Sequence, residues 1–228
     1  MRVHTAQTAP PRGRARSGVI LPLLIFLLSW AGAAEAGAPK SKEEPAQRLA
    51  TAALDALRRG EEEANTPESQ RRMYEEGLAL ARRALQVDNS NADAHFAVFA
   101  NHGRLLQMDG VTLNAINLFR AKRELERTLE LDPHHSDALA AKGGMYRQLP
   151  WMLGGDLGKA EEFLTRAIAF DPDSVGARIE LAETYREMGH RERSLILLEQ
   201  AARIAERQGR ARKLAQAREL LADLRSTE

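Results

Sequence analysis

The segment Gly154-Gly155-Asp156-Leu157-Gly158-Lys159 is the first place in this chain to look for chemistry, because glycines spaced ahead of a lysine are how a backbone cradles phosphate. It departs from a phosphate loop in three ways. The Gly-to-Gly-Lys spacing is one residue short, Ala160 stands where a magnesium-binding Ser or Thr belongs, and no strand leads into it. The segment reads instead as a glycine turn, with Asp156 capping the helix that follows. His95 and His102 are seven residues apart, so they share a helical face and could converge on a metal. A metal site needs a third ligand and supporting hydrogen bonds, and no carboxylate stands nearby at a clean spacing. His134 and His135 fall in a loop and read as solvated; His190 falls in a turn and His4 in the N-terminal leader. The chain has no cysteine, so a covalent hydrolase would have to use Ser or Thr, and no Gly-x-Ser-x-Gly elbow is present. Glu75, Glu76, Glu161 and Glu162 read as solvated faces pairing with arginine, each pair contributing only a few tenths of a kcal/mol (roughly 0.2–0.5). No catalytic residue, metal or cofactor is expected.

Basic clusters occur at Arg120, Lys122 and Arg123, and at Arg203, Arg207, Arg210, Arg212 and Lys213. They are interleaved with Glu and lack stacking aromatics, so they read as surface helix rather than a nucleic-acid site; weak contact with anionic lipid heads is the other use. Net charge agrees. Residues 1–36 hold four of the 33 Lys and Arg and one of the 32 Asp and Glu, leaving 29 cations against 31 anions in the remainder. A nucleic-acid binder shows a basic excess, because phosphate neutralisation supplies most of its affinity.

The elements that must position any site begin after residue 36. Arg2, Arg12, Arg14 and Arg16 precede an apolar run from Val19 to Trp30, and Ala34-Glu35-Ala36 offers small residues for signal peptidase. That three-part pattern predicts a secretory signal over 1–36, cut after Ala36, and a linker over 37–45. An uncleaved signal would leave an inner-membrane anchor instead. The absence of cysteine and of an Asn-x-Ser/Thr acceptor fits export to a bacterial periplasm. Ala, Leu, Arg and Glu dominate the rest, aromatic residues make up 5%, and β-branched residues are scarce, which favours helices.

Three phrases repeat: Leu125 to Pro133, Leu164 to Pro172, and a weaker Ala81 to Asn89. Each closes an amphipathic helix on Asp-Pro or Asp-Asn, since proline cannot continue a helix and disfavours helical angles before it. Asn91, Ser136 and Ser174 then stand as N-caps for helices over Ala92–Met108, Asp137–Leu149 and Val175–Met188. Thr66 and Pro67 open an earlier helix that runs to Val87, after one from Glu44 to Arg59, and Arg210 to Leu224 is a last amphipathic helix.

The unit resembles the tetratricopeptide repeat, a helix–turn–helix of about 34 residues. Leu181, Ala182, Tyr185, Ser194, Leu198 and Ala201 occupy its signature positions in one unit, and Gly143, Tyr146, Ala160, Leu164, Ala167 and Pro172 in another. The resemblance implies an all-α solenoid of antiparallel hairpins: a degenerate first repeat at 46–91, a repeat with an insertion at 92–135, one with a long turn at 136–174, one at 175–208, and a capping helix at 209–228. The passage from Ala94-His95-Phe96 through Phe119–Glu124 to Gly143 is similar to the tetratricopeptide-like domain of regulator-of-microtubule-dynamics proteins. The Leu149-Pro150…Leu153-Gly-Gly-Asp156 turn is similar to periplasmic TRAP-transporter accessory repeat proteins. Lipid-handling and transport roles are what those two resemblances imply.

In the repeat family the first helices line a concave groove. The matching positions here are Phe96, Ala100, Ala140, Gly144, Arg147, Ile179, Glu183 and Arg186. Small residues at Ala100, Ala140 and Gly144 would leave room, and Arg147 and Arg186 would hold a carboxylate or phosphate or else be merely solvated. Pro150, Trp151 and Met152 form a second candidate, either an exposed contact turn or a tip folded back on the array. Two functions follow. One is an exported, non-catalytic scaffold binding a protein or peptide partner in the cell envelope. The other is a lipid or small-molecule carrier, which an apolar pocket lined by Phe96, Phe99 and Trp151 would favour.

Overall fold

A computed structural model describes residues 43–110 and 115–226; the side chains at 43–44, 115–119 and 121 are left aside. All described residues belong to one compact unit, Pro39–Glu228. The expected export signal lies outside them. Nine α-helices follow one another among the described residues: α1 (Glu43–Glu62), α2 (Pro67–Val87), α3 (Ala92–Met108), α4 (Ala115–Leu131), α5 (Ser136–Gln148), α6 (Leu157–Phe170), α7 (Val175–Glu187), α8 (Arg191–Arg207) and α9 (Ala211–Ser226). A single 3-10 turn, Trp151–Leu153, sits between α5 and α6. None of these helices is long and apolar enough to cross a membrane.

Local chemistry starts and stops these helices. Thr66 Oγ1 accepts from the Ser69 N–H and Ser69 Oγ accepts from the Thr66 N–H, a reciprocal cap with Pro67 at the first helical position. Asn91, Asp156 and Ser174 each accept a first-turn N–H of α3, α6 and α7, at 2.8, 3.0 and 3.3 Å. The expected cap Ser136 does not serve. His135 does, its Nδ1 accepting from the Ala138 N–H at 3.2 Å, and Ser136 becomes the first residue of α5. After α2, α4 and α6 the same turn recurs: Asp88, Asp132 and Asp171 each accept, through Oδ1, the N–H two residues on.

Packing follows the chain. Each helix packs on the next, and α1 on α3, α5 on α7 and α7 on α9 pack as well, so the molecule is an array of stacked hairpins. Alanines bring the backbones close: Ala50, Ala84 and Ala94 meet in one layer, and Ala53, Ala81 and Ala97 in the next. Larger side chains fill the later layers, with Leu164 between Ala160 and Leu181, and Leu198 at the centre of a cluster spanning α7, α8 and α9. The array is all-α with a closing helix, α9, that covers the last hairpin. It also curves far enough for α9 to touch α1.

Candidate functional site

The inner wall of the curved array is built by the odd-numbered helices. Glu61 comes from α1, Arg104 from α3, Asp137 and Arg147 from α5, Glu180 from α7 and Lys213 from α9. Arg147 is not an open anion receptor. Its Nη2 lies 2.9 Å from Glu180 Oε2, and its Nη1 lies 2.8 Å from Glu187 Oε1. Glu180 also overlies Gly144, where an added Cβ would stand 3.2 Å from its carboxylate, so the room expected beside that glycine is filled. Arg186 is taken in the same way by Glu183 at 2.8 Å and Asp223 at 4.0 Å. These pairs neutralise the groove from within.

Phe96 and Ile179 do not line the groove either. Phe96 is buried with Leu125 and Ala138, its ring 4.9 Å from that of His135, and Ile179 is buried against Leu198. Ala100 is half-buried against the Phe96 layer, and Ala140 against Leu139, Ala167 and Ala177. The apolar pocket that would have joined Phe96, Phe99 and Trp151 is not formed, because Phe96 faces the core while Trp151 is 82% exposed.

Near the joined ends the wall opens into a pocket of about 280 Å³, lined by the side chains of Glu61, Glu62, Gln70, Tyr74, Arg104, Arg212, Lys213 and Gln216. Lys213 Nζ donates to Gln216 at 3.3 Å, and enclosure by protein pushes its ammonium below the ordinary lysine range. Asp137 is reached by solvent yet surrounded on most sides, and that enclosure pushes its carboxyl up.

Two of the described histidines, His95 and His135, are buried beside carboxylates. His95 Nδ1 stands 2.7 Å from Glu124 Oε2 and its Nε2 3.1 Å from the Asn89 carbonyl. Both ring nitrogens are therefore engaged within the fold. His102 is held below the ordinary imidazole range by burial first and then by the charges of Arg82 and Arg120. His135, expected in solvent, is buried. Because its Nδ1 accepts from Ala138, its proton sits on Nε2, which lies 3.1 Å from Asp93 Oδ1, off the line of a good hydrogen bond. Sequence reasoning missed both pairs, since each carboxylate lies some 29 or 42 positions from its histidine.

These contacts predict an acid response. Asp93 is held below the ordinary carboxylate range by His135 first and by Gln47, and Glu124 by His95. A depressed folded pKa contributes stability above the unfolded value, about 4, and loses it as pH falls through the folded value. Asp137 acts in the opposite sense, its strain easing as it takes a proton. Urea midpoints should therefore hold from pH 7 to 5 and fall below about 4. Asp93→Asn with Glu124→Gln should flatten that fall, and an unchanged slope would exclude these pairs as its source.

The turn between α5 and α6 is the other candidate. Trp151, Met152 and Leu153 are 82, 75 and 57% exposed, and Pro150 is exposed beside them. The turn stands out from the array rather than folding back. It is nonetheless fixed: the Leu153 and Gly155 N–H groups both donate to the Pro150 carbonyl, and the Asp156 N–H donates to the Tyr146 carbonyl. Gly154 has φ 94°, and a Cβ on Gly155 would lie 1.8 Å from the Leu149 carbonyl, so only glycine fits there. The glycines thus shape a turn rather than a phosphate cradle.

Residues 152–218, from this turn to α9, match the family model described as tetratricopeptide repeat. These residues carry a tetratricopeptide repeat. Residues 35–146 match the model of regulator of microtubule dynamics protein 1-3. No curated protein matches the chain. Among solved structures, the chain is similar to PilF of Pseudomonas aeruginosa, at 18% identity and TM-score 0.48, covering 80% of this chain and 77% of that one. It is similar to TTC0263, a thermophilic TPR protein of Thermus thermophilus, at 19% identity and TM-score 0.47, covering 81% and 96%. MamA of Desulfovibrio magneticus RS-1 is similar at 15% identity and TM-score 0.44, covering 81% and 97%. Tetratricopeptide repeats build interaction scaffolds, and the arrangement here has the parts of one: a stacked frame and a fixed apolar turn held out from it.

Proposed function

We propose that this protein is an exported, non-catalytic scaffold that binds a protein partner through the Trp151-Met152-Leu153 turn. The observation that carries the reading is three consecutive large apolar side chains held in solvent by a hydrogen-bonded turn, on a frame whose groove arginines are already paired. Burying such a patch is favourable in proportion to its area, and tryptophan is the residue most often dominant in an interface. The groove is therefore secondary in this proposal, although Arg147 and Arg186 were its expected anchors. The carrier reading is weaker, because Phe96 and Trp151 lie apart and the side chains lining the pocket at hand are largely charged. Export rests on the residues of 1–36 alone.

The test is capture of the full chain, tagged at its C-terminus, from the envelope of its native cell, with proteins and lipids both analysed. A copurifying protein should bind Trp151→Ser/Met152→Ser more weakly by at least about 30-fold, the effect of a contact worth roughly 2 kcal/mol. Circular dichroism should be unchanged. Undiminished affinity in the variant would remove the turn from the proposal; lipid recovered near one per chain without protein would replace the scaffold with the carrier. A mature N-terminus at Gly37 supports export, and an intact Met1 in the cytosol counts against it.

A further inference from the structure

The two ends of the array meet through a polar contact. Glu62, in the last turn of α1, accepts the N–H of Arg212 in α9 and Nε of Arg210, the residue before that helix, each at 3.1 Å. Arg212 donates in return to the Glu61 carbonyl at 3.0 Å and to the Ala64 carbonyl. Arg104 Nε of α3 completes the group at 3.0 Å from the Glu61 carboxylate. The first turn of a helix has free N–H groups and the last turn has free carbonyls. Each end therefore caps the other, across about 150 residues of sequence.

Elsewhere neighbouring helices are joined by apolar layers. Among the described residues no buried apolar cluster joins α1 to α9: the clusters of α1 are shared with α2 to α5, and that of α9 with α7 and α8. Parting the ends would break hydrogen bonds that water can replace and would open no core. A solenoid permits this, since each repeat is held by its neighbours alone. Closure also has a cost, because it encloses Asp137 and Lys213, both of which burial drives toward neutrality.

We propose that Glu61 and Glu62, with Arg104, Arg210 and Arg212, form a latch: the array is closed when the two ends cap each other and open when they part.

The chain has no cysteine, so Thr51→Cys on α1 and Ala215→Cys on α9, both exposed positions, would carry the only spin labels in the full chain. Pulsed dipolar spectroscopy should give one narrow distance at low salt. A longer population should appear in 1 M NaCl, where screening acts within about 3 Å. Glu62→Ala/Arg212→Ala should move most molecules to the long distance at low salt, with helicity retained. Acetylation of Lys213 by an N-hydroxysuccinimide ester should speed up severalfold in that variant. A narrow distance that survives both the variant and the salt would overturn the latch. So would a long distance accompanied by loss of helicity, which would make the contact part of the core.

Discussion

Leu198→Ala should lower the unfolding free energy by about 3–4 kcal/mol, within the range of large-to-small changes in tight cores. Leu198 has no exposed surface and lies among Val175, Ile179, Ala182, Ala201, Ala217 and Leu221. Alanine would leave a void bounded by three helices, and several of its neighbours are already alanines that cannot reach into it. For a chain of this size the melting temperature should drop by roughly 10 °C, and the urea midpoint should fall with the slope unchanged. Hydrogen exchange should show protection lost first in α7 to α9 and retained in α1 to α3, because repeats are coupled chiefly to their neighbours. A loss below about 1 kcal/mol would mean the site closes over the deletion.

Gly143→Val should also destabilise the chain, for the opposite reason. A Cβ at Gly143 would stand 2.5 Å from Leu164 Cγ and 3.2 Å from the Ala160 carbonyl. The leucine is fully buried and the carbonyl belongs to a helix, so neither can yield cheaply. Overpacking of this kind costs about 1–3 kcal/mol, and the better helix propensity of valine recovers only a few tenths. Leu164→Ala alone should cost about 3–5 kcal/mol. Together the two changes should cost clearly less than their sum, because the new methyl groups occupy space the leucine has left. Strict additivity in urea unfolding would show that Gly143 and Leu164 do not share that space.

The frame was legible because its signals are local. Thr66-Pro67, Asn91, Asp156 and Ser174 mark helix starts through bonds that span three residues, and the recurring Asp turns mark helix ends through bonds that span two. Histidine is an uncommon cap, and so Ser136 looked the better choice over His135. The site was less legible because its determinants lie one repeat or more apart. Glu180 and Glu187 reach Arg147 from 33 and 40 positions on, a spacing that could have been read as charge complementarity between successive first helices. The joining of residues 61–64 to Arg210 and Arg212 left no comparable trace. It depends on the summed curvature of every hairpin between them, and in sequence those arginines look like any solvated helical face. Trp151 was identified as a candidate, but its exposure depends on the backbone contacts that brace the turn.

That bracing has a thermodynamic consequence. A flexible loop that folds onto a partner gives up conformational freedom at the moment of association, and the loss subtracts from affinity. Here the peptide backbone from Pro150 to Asp156 has already surrendered its freedom during folding, through the bonds to the Pro150 and Tyr146 carbonyls. An encounter at the indole would have to order little beyond side-chain rotamers, so a small contact could hold with a strength that its area alone would not predict.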